Sequence, residues 1–501
     1  MSAHLKAFIV VFVVSAVALF FFRKPFARLI GPKRVNNWTI TWLALTTCAF
    51  LLTNYWIFLL VSAVVIFALS RSEPVKPAIY LLLLCFVPTL GETIPGFAGI
   101  QKFIEVSPQF MMATVLLLPA FFAAKHMKKI TKTGGATDLF FLLFLLLQLA
   151  LTIRSPSFTH MLRTGIQEFL AIAPLYYVFS RYPKSFEDIR VLSAAFVFPV
   201  IILAAISIPE FLRNWHFYNS VSNNWFGAMP FGYTMREGYL RASVSVFNPI
   251  VWGYVAMCGI GVGLAVLNDK ISSFYRLAGF GLLLSGLIVS LSRGPWVGAI
   301  AIIGVYILLS RKMFTRAIQA SAIATIAGAL SLLTPFGKNI IGLLPIIGDR
   351  GNDQFSYRRQ LLDQAWDVIL ANPFFGTGNI SGNTALESLR QGQGIIDIVN
   401  TYLQVGLKSG IIGLSLFLLF FASMLMTLRK AMKSAMTYDP LLANYCRAYL
   451  ATVIGILLTI FTVSSVGQIP HIYWVFAGLG IALARIEKMR RPTADSRKKF
   501  N

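Results

Sequence analysis

Two arginines stand where a charge is hard to keep. Arg241 ends a polar stretch in Arg241-Ala-Ser-Val-Ser-Val-Phe-Asn248-Pro249, directly before a hydrophobic run, and Arg293 lies in Ser292-Arg293-Gly294-Pro295-Trp296, in a tight turn between two such runs. Arg163 is a third, one helical turn before Gln167 and Glu168. A guanidinium at membrane depth is costly unless paired or solvated, so each marks a candidate functional site. The planar fork of donors matches a phosphate or pyrophosphate, which accepts two charge-assisted bonds at once. For any one arginine taken alone a plainer account stays open: the side chain reaches up to the interface, or pairs with a carboxylate such as Glu168 or Glu237. Arg163, so near Glu168, falls most readily under that account.

The candidate proton acceptor is a carboxylate. Asp349, Asp353, Asp363, Asp367 and Glu387 have Arg350, Arg358, Arg359 and Arg390 in the same stretch to pair with, whereas Asp397 stands in Gly394-Ile-Ile-Asp397-Ile-Val-Asn400-Thr-Tyr402-Leu-Gln404, before a hydrophobic run. Were that stretch helical, Asp397, Asn400 and Gln404 would share one face and could place a general base. A helix-capping role fits the same spacing equally well. His4, His126, His160, His216 and His471 form no HxxxH or HExxH pattern, and His216, among Trp215, Phe217 and Tyr218, reads as an interfacial belt residue. Cys48, Cys85, Cys258 and Cys446 show no CxxC spacing and read as apolar packing residues. With no P-loop, GxGxxG or GxSxG context either, no bound metal or cofactor is expected.

The elements that must hold these residues are membrane spans. Of 501 residues 57% are hydrophobic and only 13% charged, and apolar runs return from end to end, which excludes a soluble multidomain enzyme. Cutting at charged or Pro/Gly-rich breaks yields roughly 14–15 transmembrane helices, near 5–22, 38–53, 55–70, 77–92, 108–124, 138–153, 160–180, 191–210, 249–267, 277–291, 297–310, 318–334, 409–428, 443–463 and 472–484. The run from Leu5 to Phe22, with Arg23-Lys24 after it, has the reverse of signal-peptide charge order and reads as a retained span.

The net charge of +25 could point to nucleic acid, but its distribution points to topology. Basic blocks at Arg23–Arg34, Lys125–Lys132, Arg181–Arg190, Arg311–Arg316, Arg429–Lys433 and Arg485–Lys499 all follow odd-numbered spans. That parity is cytoplasmic, which puts the N-terminus outside and the C-terminus inside. The chain then divides into an N-terminal bundle (1–190), helices carrying the external arginines (191–334) with a first long external loop (about 211–248), a large external loop (335–408), C-terminal helices (409–484) and a basic tail (485–501). Within the large loop, Tyr357–Leu370 has the polar and apolar faces of a helix lying on the membrane, ended by Asn372-Pro373 and turned by Gly376-Thr377-Gly378.

Taken in order, Arg241-Ala-Ser with Asn248-Pro249, Ser292-Arg293-Gly294, Arg358/Arg359 with Asn372-Pro373-Phe-Phe-Gly376-Thr-Gly378, and Asn400-Thr-Tyr402-Leu-Gln404 before Gly410-Ile-Ile-Gly413 resemble the pattern of the Wzy/O-antigen ligase superfamily of polytopic glycan polymerases and ligases. The resemblance covers the C-terminal half. It implies an all-α, GT-C-like polytopic protein of the bacterial inner membrane that performs a metal-independent, inverting glycosyl transfer on the outer face. Donor and acceptor would be glycans on undecaprenyl pyrophosphate, with the lipid bilayer and with a chain-length regulator and flippase of the same pathway as partners. Arg241 and Arg293 would hold the pyrophosphate and stabilise its departing charge. Arg358, Arg359, Arg163, Asn248, Asn400 and Tyr402 would contact substrate.

One position departs from the pattern. Ligases of the family resemble His-Asn-x-Tyr, with the histidine as base, and here Val399 stands in its place. Valine cannot accept a proton, which leaves Asp397 as the base and favours a repeat-unit polymerase over a ligase. A lipid-linked-glycan flippase is the reading from another class. It requires mid-membrane ionisable residues and a two-fold repeat of broken helices, and neither stands out in this sequence.

Overall fold

A computed structural model describes residues 2–96, 102–125, 134–227, 232–311, 313, 315, 318, 352–378, 380, 382–390, 394 and 396–491. The described chain is helical but for two short hairpins, β1 (Glu92–Pro95) with β2 (Lys102–Val106) and β3 (Met235–Arg236) with β4 (Tyr239–Leu240). It is an all-α polytopic membrane protein. Eight described helices are long and apolar enough to cross a bilayer: α1 (Ala3–Ile30), α3 (Tyr55–Ser72), α7 (Gly135–Leu151, continued to Arg154), α9 (Phe186–Leu212), α11 (Pro249–Val266), α15 (Thr401–Ala435), α16 (Pro440–Ile460) and α17 (Gln468–Arg490). Shorter apolar helices add α12 (Ser273–Val289), α13 (Arg293–Leu308) and the run made by α5 (Pro108–Met112), a π-helical turn and α6 (Leu118–Lys125).

The other expected spans are α2 (Pro32–Leu51), α4 (Pro77–Leu83) and α8 (Phe158–Arg181), whose polar ends or short length keep them below that apolar threshold. The span expected at 318–334 and the first part of the large loop lie outside the described residues, except for residue 318. α1 runs past Arg23-Lys24 to Ile30, and α17 continues to Arg490, so Arg485 belongs to a helix. Arg485 is buried there and donates to the Pro183 carbonyl.

Position in the bundle follows from which faces are apolar. α9, α11 and α17 are buried along almost all of their apolar length, whereas α1, α3 and α7 bury only about a third of theirs. The outward residues of those three, such as Val17, Phe20, Leu60, Val64, Leu142 and Leu146, are themselves apolar, as a lipid-facing surface requires. α11 packs on α9, α12, α13 and α16, and α17 packs on α8, α15 and α16. Close approach depends on small residues: a Cβ at Gly455 would lie 2.9 Å from the Gly298 carbonyl oxygen. At the other end of α9, buried Arg190 grips Asp269 through Nε at 2.6 Å and Nη2 at 2.5 Å, and the Tyr445 hydroxyl donates to the same carboxylate.

The large loop carries its own small core. α14 (Asn352–Ala371) packs Leu361, Ala365, Val368 and Ile369 against Leu386, Leu389 and Ile398, and against Leu403 and Leu407 of α15. α14 ends at Asn372-Pro373 as the sequence predicts, and its exposed face is amphipathic with Trp366 and Leu370.

Below that core α15 is broken. Gly410 has φ +67° and ψ −169°, far from helical values. The turn 372–378 fills the break: the Thr377 amide donates to the Leu407 carbonyl and the Ile411 amide to the Pro373 carbonyl, each at 2.7 Å. Gly376, at φ +70°, meets the Leu407 carbonyl so closely that no side chain fits.

Candidate functional site

The site begins at the turn between α12 and α13. Arg236 donates from Nη1 to the Leu291 carbonyl at 2.6 Å, and Arg241 donates from Nη2 to the Ser292 hydroxyl at 2.9 Å and from Nε to the Ser290 carbonyl at 3.3 Å. Two guanidinium groups from one loop thus cap a single turn, and Arg293 is the next residue of that turn. β3 and β4 explain how the loop delivers both: Glu237 and Gly238, with φ +52° and +77°, form the two-residue connection that reverses the chain. The Arg241 amide then donates to the Thr234 carbonyl at 3.0 Å, which extends the ladder and sets Arg241 beside Arg236.

Arg358 joins from α14. Its Nη2 lies 3.4 Å from the Thr462 carbonyl, in the loop between α16 and α17, and it feels the charges of Arg293 and Asp397. The mutual repulsion is visible in the acidities. Burial, with Arg236 adding to it, pulls the pKa of Arg241 down to about 9. Arg236 is lowered by burial and then by Arg293 and Arg358, and Arg358 by burial and then by Arg293. Among the described residues, Arg236, Arg241 and Arg358 form no salt bridge, and the hydrogen bonds of Arg236 and Arg241 go to neutral oxygens. Four cations from three separate segments converge there, which is the charge pattern of a polyanion site.

Asp397 lies beside this cluster, half-buried. The expected helical stripe is not formed. Residues 397–400 are non-helical, and α15 starts only at Thr401, because Asn400 is its N-cap and accepts from the Tyr402 amide at 2.9 Å and the Leu403 amide at 3.2 Å. Asp397 is held from elsewhere: the Ser464 hydroxyl donates to Oδ1 at 2.9 Å, and the Tyr357 hydroxyl donates to its backbone carbonyl at 2.9 Å. Gln404 accepts from the Ser465 amide at 3.0 Å, and the Thr401 hydroxyl donates to Val463 at 2.9 Å. The loop between α16 and α17 is therefore clamped to Asp397 and to the first turn of α15.

The remaining candidates are placed as follows. Asn248 caps α11, accepting from Ile250 at 2.8 Å and Val251 at 3.2 Å, with Pro249 in the first helical position. The Tyr402 hydroxyl donates to the Leu457 carbonyl at 2.8 Å. Arg359 is exposed on α14, one residue and about 100° of helix away from Arg358. Arg163 donates to the Lys102 carbonyl of β2 at 2.8 Å. Its expected neutralisation by Glu168 is not what the structure has: Glu168 pairs with Lys408 of α15.

Two features were missed from the sequence. Arg236 carries the same signal as Arg241, a cation in a polar segment before a span, but only the Glu237-Gly238 turn brings it inward. His216 is not a belt residue: it is 4% exposed, and its Nδ1 lies 2.6 Å from Oε1 of fully buried Glu210. That same oxygen accepts from the Ser243 amide at 2.9 Å and the Val244 amide at 3.2 Å, two and three residues after Arg241. A glutamate at the end of an apolar helix was the available sign. Glu210 thus fixes the strained segment in which Val244 has φ +44°. No three His, Cys, Asp or Glu side chains cluster as a metal would require among the described residues.

Residues 278–418 match the family model described as O-antigen ligase. The matched span takes in Arg293, Arg358, Asp397, the turn 372–378 and the break at Gly410, and it supports the resemblance to the Wzy/O-antigen ligase superfamily; Arg236 and Arg241 precede it. No curated protein matches the chain.

Proposed function

We propose that this chain, whose residues 278–418 carry the O-antigen ligase signature, is a glycosyltransferase that polymerises lipid-pyrophosphate-linked oligosaccharide units into a surface polysaccharide. The observation that carries the reading is the convergence of Arg236, Arg241, Arg293 and Arg358 with Asp397 at their margin. The reaction takes place on the outer face of the bacterial inner membrane, where basic-block parity puts the loops that bear these residues.

In the proposed reaction an acceptor sugar hydroxyl attacks the anomeric carbon of the donor. A new glycosidic bond forms, the bond from that carbon to the pyrophosphate oxygen breaks, and the hydroxyl proton passes to Asp397. The departing undecaprenyl pyrophosphate takes the bonding electron pair, and the four guanidinium groups stabilise the charge it gains. Arg236 and Arg241, half-buried and already oriented by the Ser290–Ser292 turn, need no reorganisation at that moment. Glu210 and His216 act at one remove, as positioning residues for the segment that bears Arg241.

A ligase that moves a finished glycan to lipid A-core or protein is the second reading, favoured by the description of the matching family. Val399, in place of the family's histidine, weighs against it. The test is purified protein with a short undecaprenyl-pyrophosphate-linked repeat unit, with products sized on a gel. A ladder that is lost in Arg293→Ala supports the polymerase, and its persistence in Asp397→Asn rejects the base. Single transfer to an added lipid or protein acceptor, without a ladder, establishes the ligase instead. Transbilayer movement of the lipid-linked unit with no transfer identifies a flippase.

A further inference from the structure

A second polar site lies apart from the arginines. A cavity of about 220 Å³ is lined by Glu105 and Ser107 at the end of β2, Gln109 and Phe110 of α5, Gln167 of α8 and His471 of α17. Gln109 is 7% exposed, yet its amide nitrogen has no hydrogen-bond partner among the described residues. The Tyr80 hydroxyl engages Nδ1 of His471 at 2.7 Å, which ties that ring to α4. Leaving the Gln109 amide nitrogen unpaired costs on the order of 1–3 kcal/mol, which a hydrogen-bonding occupant that drew this side chain into the cavity would relieve.

The lining selects the chemistry of that occupant. Among the described residues the lining holds no arginine or lysine, unlike the phosphate-matching cluster. It offers two carboxamides, a hydroxyl, an imidazole and one carboxylate around the ring of Phe110. Closely spaced donors and acceptors beside an aromatic face match a sugar ring, whose hydroxyls take the polar groups and whose C–H face takes the phenyl ring. An apolar ligand would leave the Gln109 amide stranded.

The cavity is also coupled to the arginine cluster. Its wall residue His471 stands in the first turn of α17, and the loop before that helix supplies the Thr462 carbonyl to Arg358 and the Ser464 hydroxyl to Asp397. Ser465 of the same loop bonds Tyr473 of α17 at 3.1 Å. On the other wall, Gln167 precedes Glu168, which pairs with Lys408 of α15.

We infer that this cavity is a subsite for an uncharged sugar ring of the glycan substrate, held by Gln109, Gln167 and His471 beside Phe110. The inference rests on the glycan-transfer reading but has its own readout. The probe is the repeat-unit oligosaccharide of the host's surface polysaccharide, freed of lipid and pyrophosphate by mild acid and titrated calorimetrically into the full chain in nanodiscs. The wild type binds it. Gln109→Leu and Gln167→Leu each weaken binding about tenfold or more, and Gln109→Asn weakens it less.

Thermal midpoints identify any variant that fails to fold, and Gln167, only half-buried, supplies the second test if Gln109→Leu does. No binding by the wild type, or equal binding by wild type and both leucine variants, overturns the subsite even if polymer ladders form. Binding that depends on Gln109 while no lipid-linked unit is transferred leaves the subsite standing and overturns the transferase reading.

Discussion

Arg241 holds a charge that the fold makes costly. Its pKa of about 9 lies well below the usual arginine range, so between pH 9 and that range the unfolded chain binds the proton more tightly than the folded one. Stability therefore rises with pH across that window, and the full cost of the buried charge is present at neutral pH. On the proposed function, an arriving pyrophosphate would relieve the cost, and it would need the protonated side chain. The affinity for a short polyprenyl pyrophosphate is expected to fall as pH rises through about 9, by up to roughly tenfold per unit, and Arg241→Ala should bind weakly without that alkaline limb. Calorimetric titration from pH 7 to 10 checks both. At the same scale, Asn400 caps α15 through its side-chain oxygen, so Asn400→Ala should cost about 1 kcal/mol of stability while Asn400→Ser recovers it. Activity that stays low in a fully stable Asn400→Ser protein would assign the amide a substrate contact beyond the cap.

At the scale of elements, α14 places Arg358 only if its turn stays docked in the break of α15. A methyl group at Gly376 meets the Leu407 carbonyl and must also adopt φ +70°, so Gly376→Ala should destabilise this docking by about 2 kcal/mol or more. The expected readout is faster proteolysis and amide exchange across residues 352–400, with the rest of the bundle protected. Uniform protection would mean that the turn does not hold the loop. Glu210 makes the corresponding link for Arg241. Glu210→Gln keeps an acceptor for the Ser243 and Val244 amides, whereas Glu210→Leu leaves both unpaired. The leucine variant should lose transfer mainly in kcat and the glutamine variant should recover much of it. Equal loss in both would make the carboxylate charge, not its hydrogen bonds, the property that matters.

For the whole molecule, basic-block parity predicts an external N-terminus and an internal C-terminus, which impermeant thiol labelling of single cysteines at residues 2 and 495 can test. Labelling from outside only at residue 2 is expected, and the reverse pattern would remove the proposed outer-face site. Hydropathy made most of the bundle legible, because a span announces itself over about twenty residues. It also found α14, whose period is helical and whose end is marked by Asn372-Pro373. The site was legible one residue at a time: Arg241, Arg293 and Asp397 stood out by type and setting, and Arg358, with Arg359, entered only through the family resemblance. Their convergence did not, because it depends on a two-residue turn at Glu237-Gly238 and on a clamp from Ser464, far along the chain. β1 and β2 were missed because a short hairpin inside a long membrane chain has too few residues to show a period of two. The break at Gly410 has a further meaning for how the protein is made. Translation produces the turn 372–378 before the helix that will receive it, and a nascent helix broken at Gly410 leaves the Leu407 carbonyl and the Ile411 amide without helical partners. Both are satisfied when the earlier turn comes back to meet the helix. Closing the break in α15 and delivering Arg358 to its neighbours are then one event.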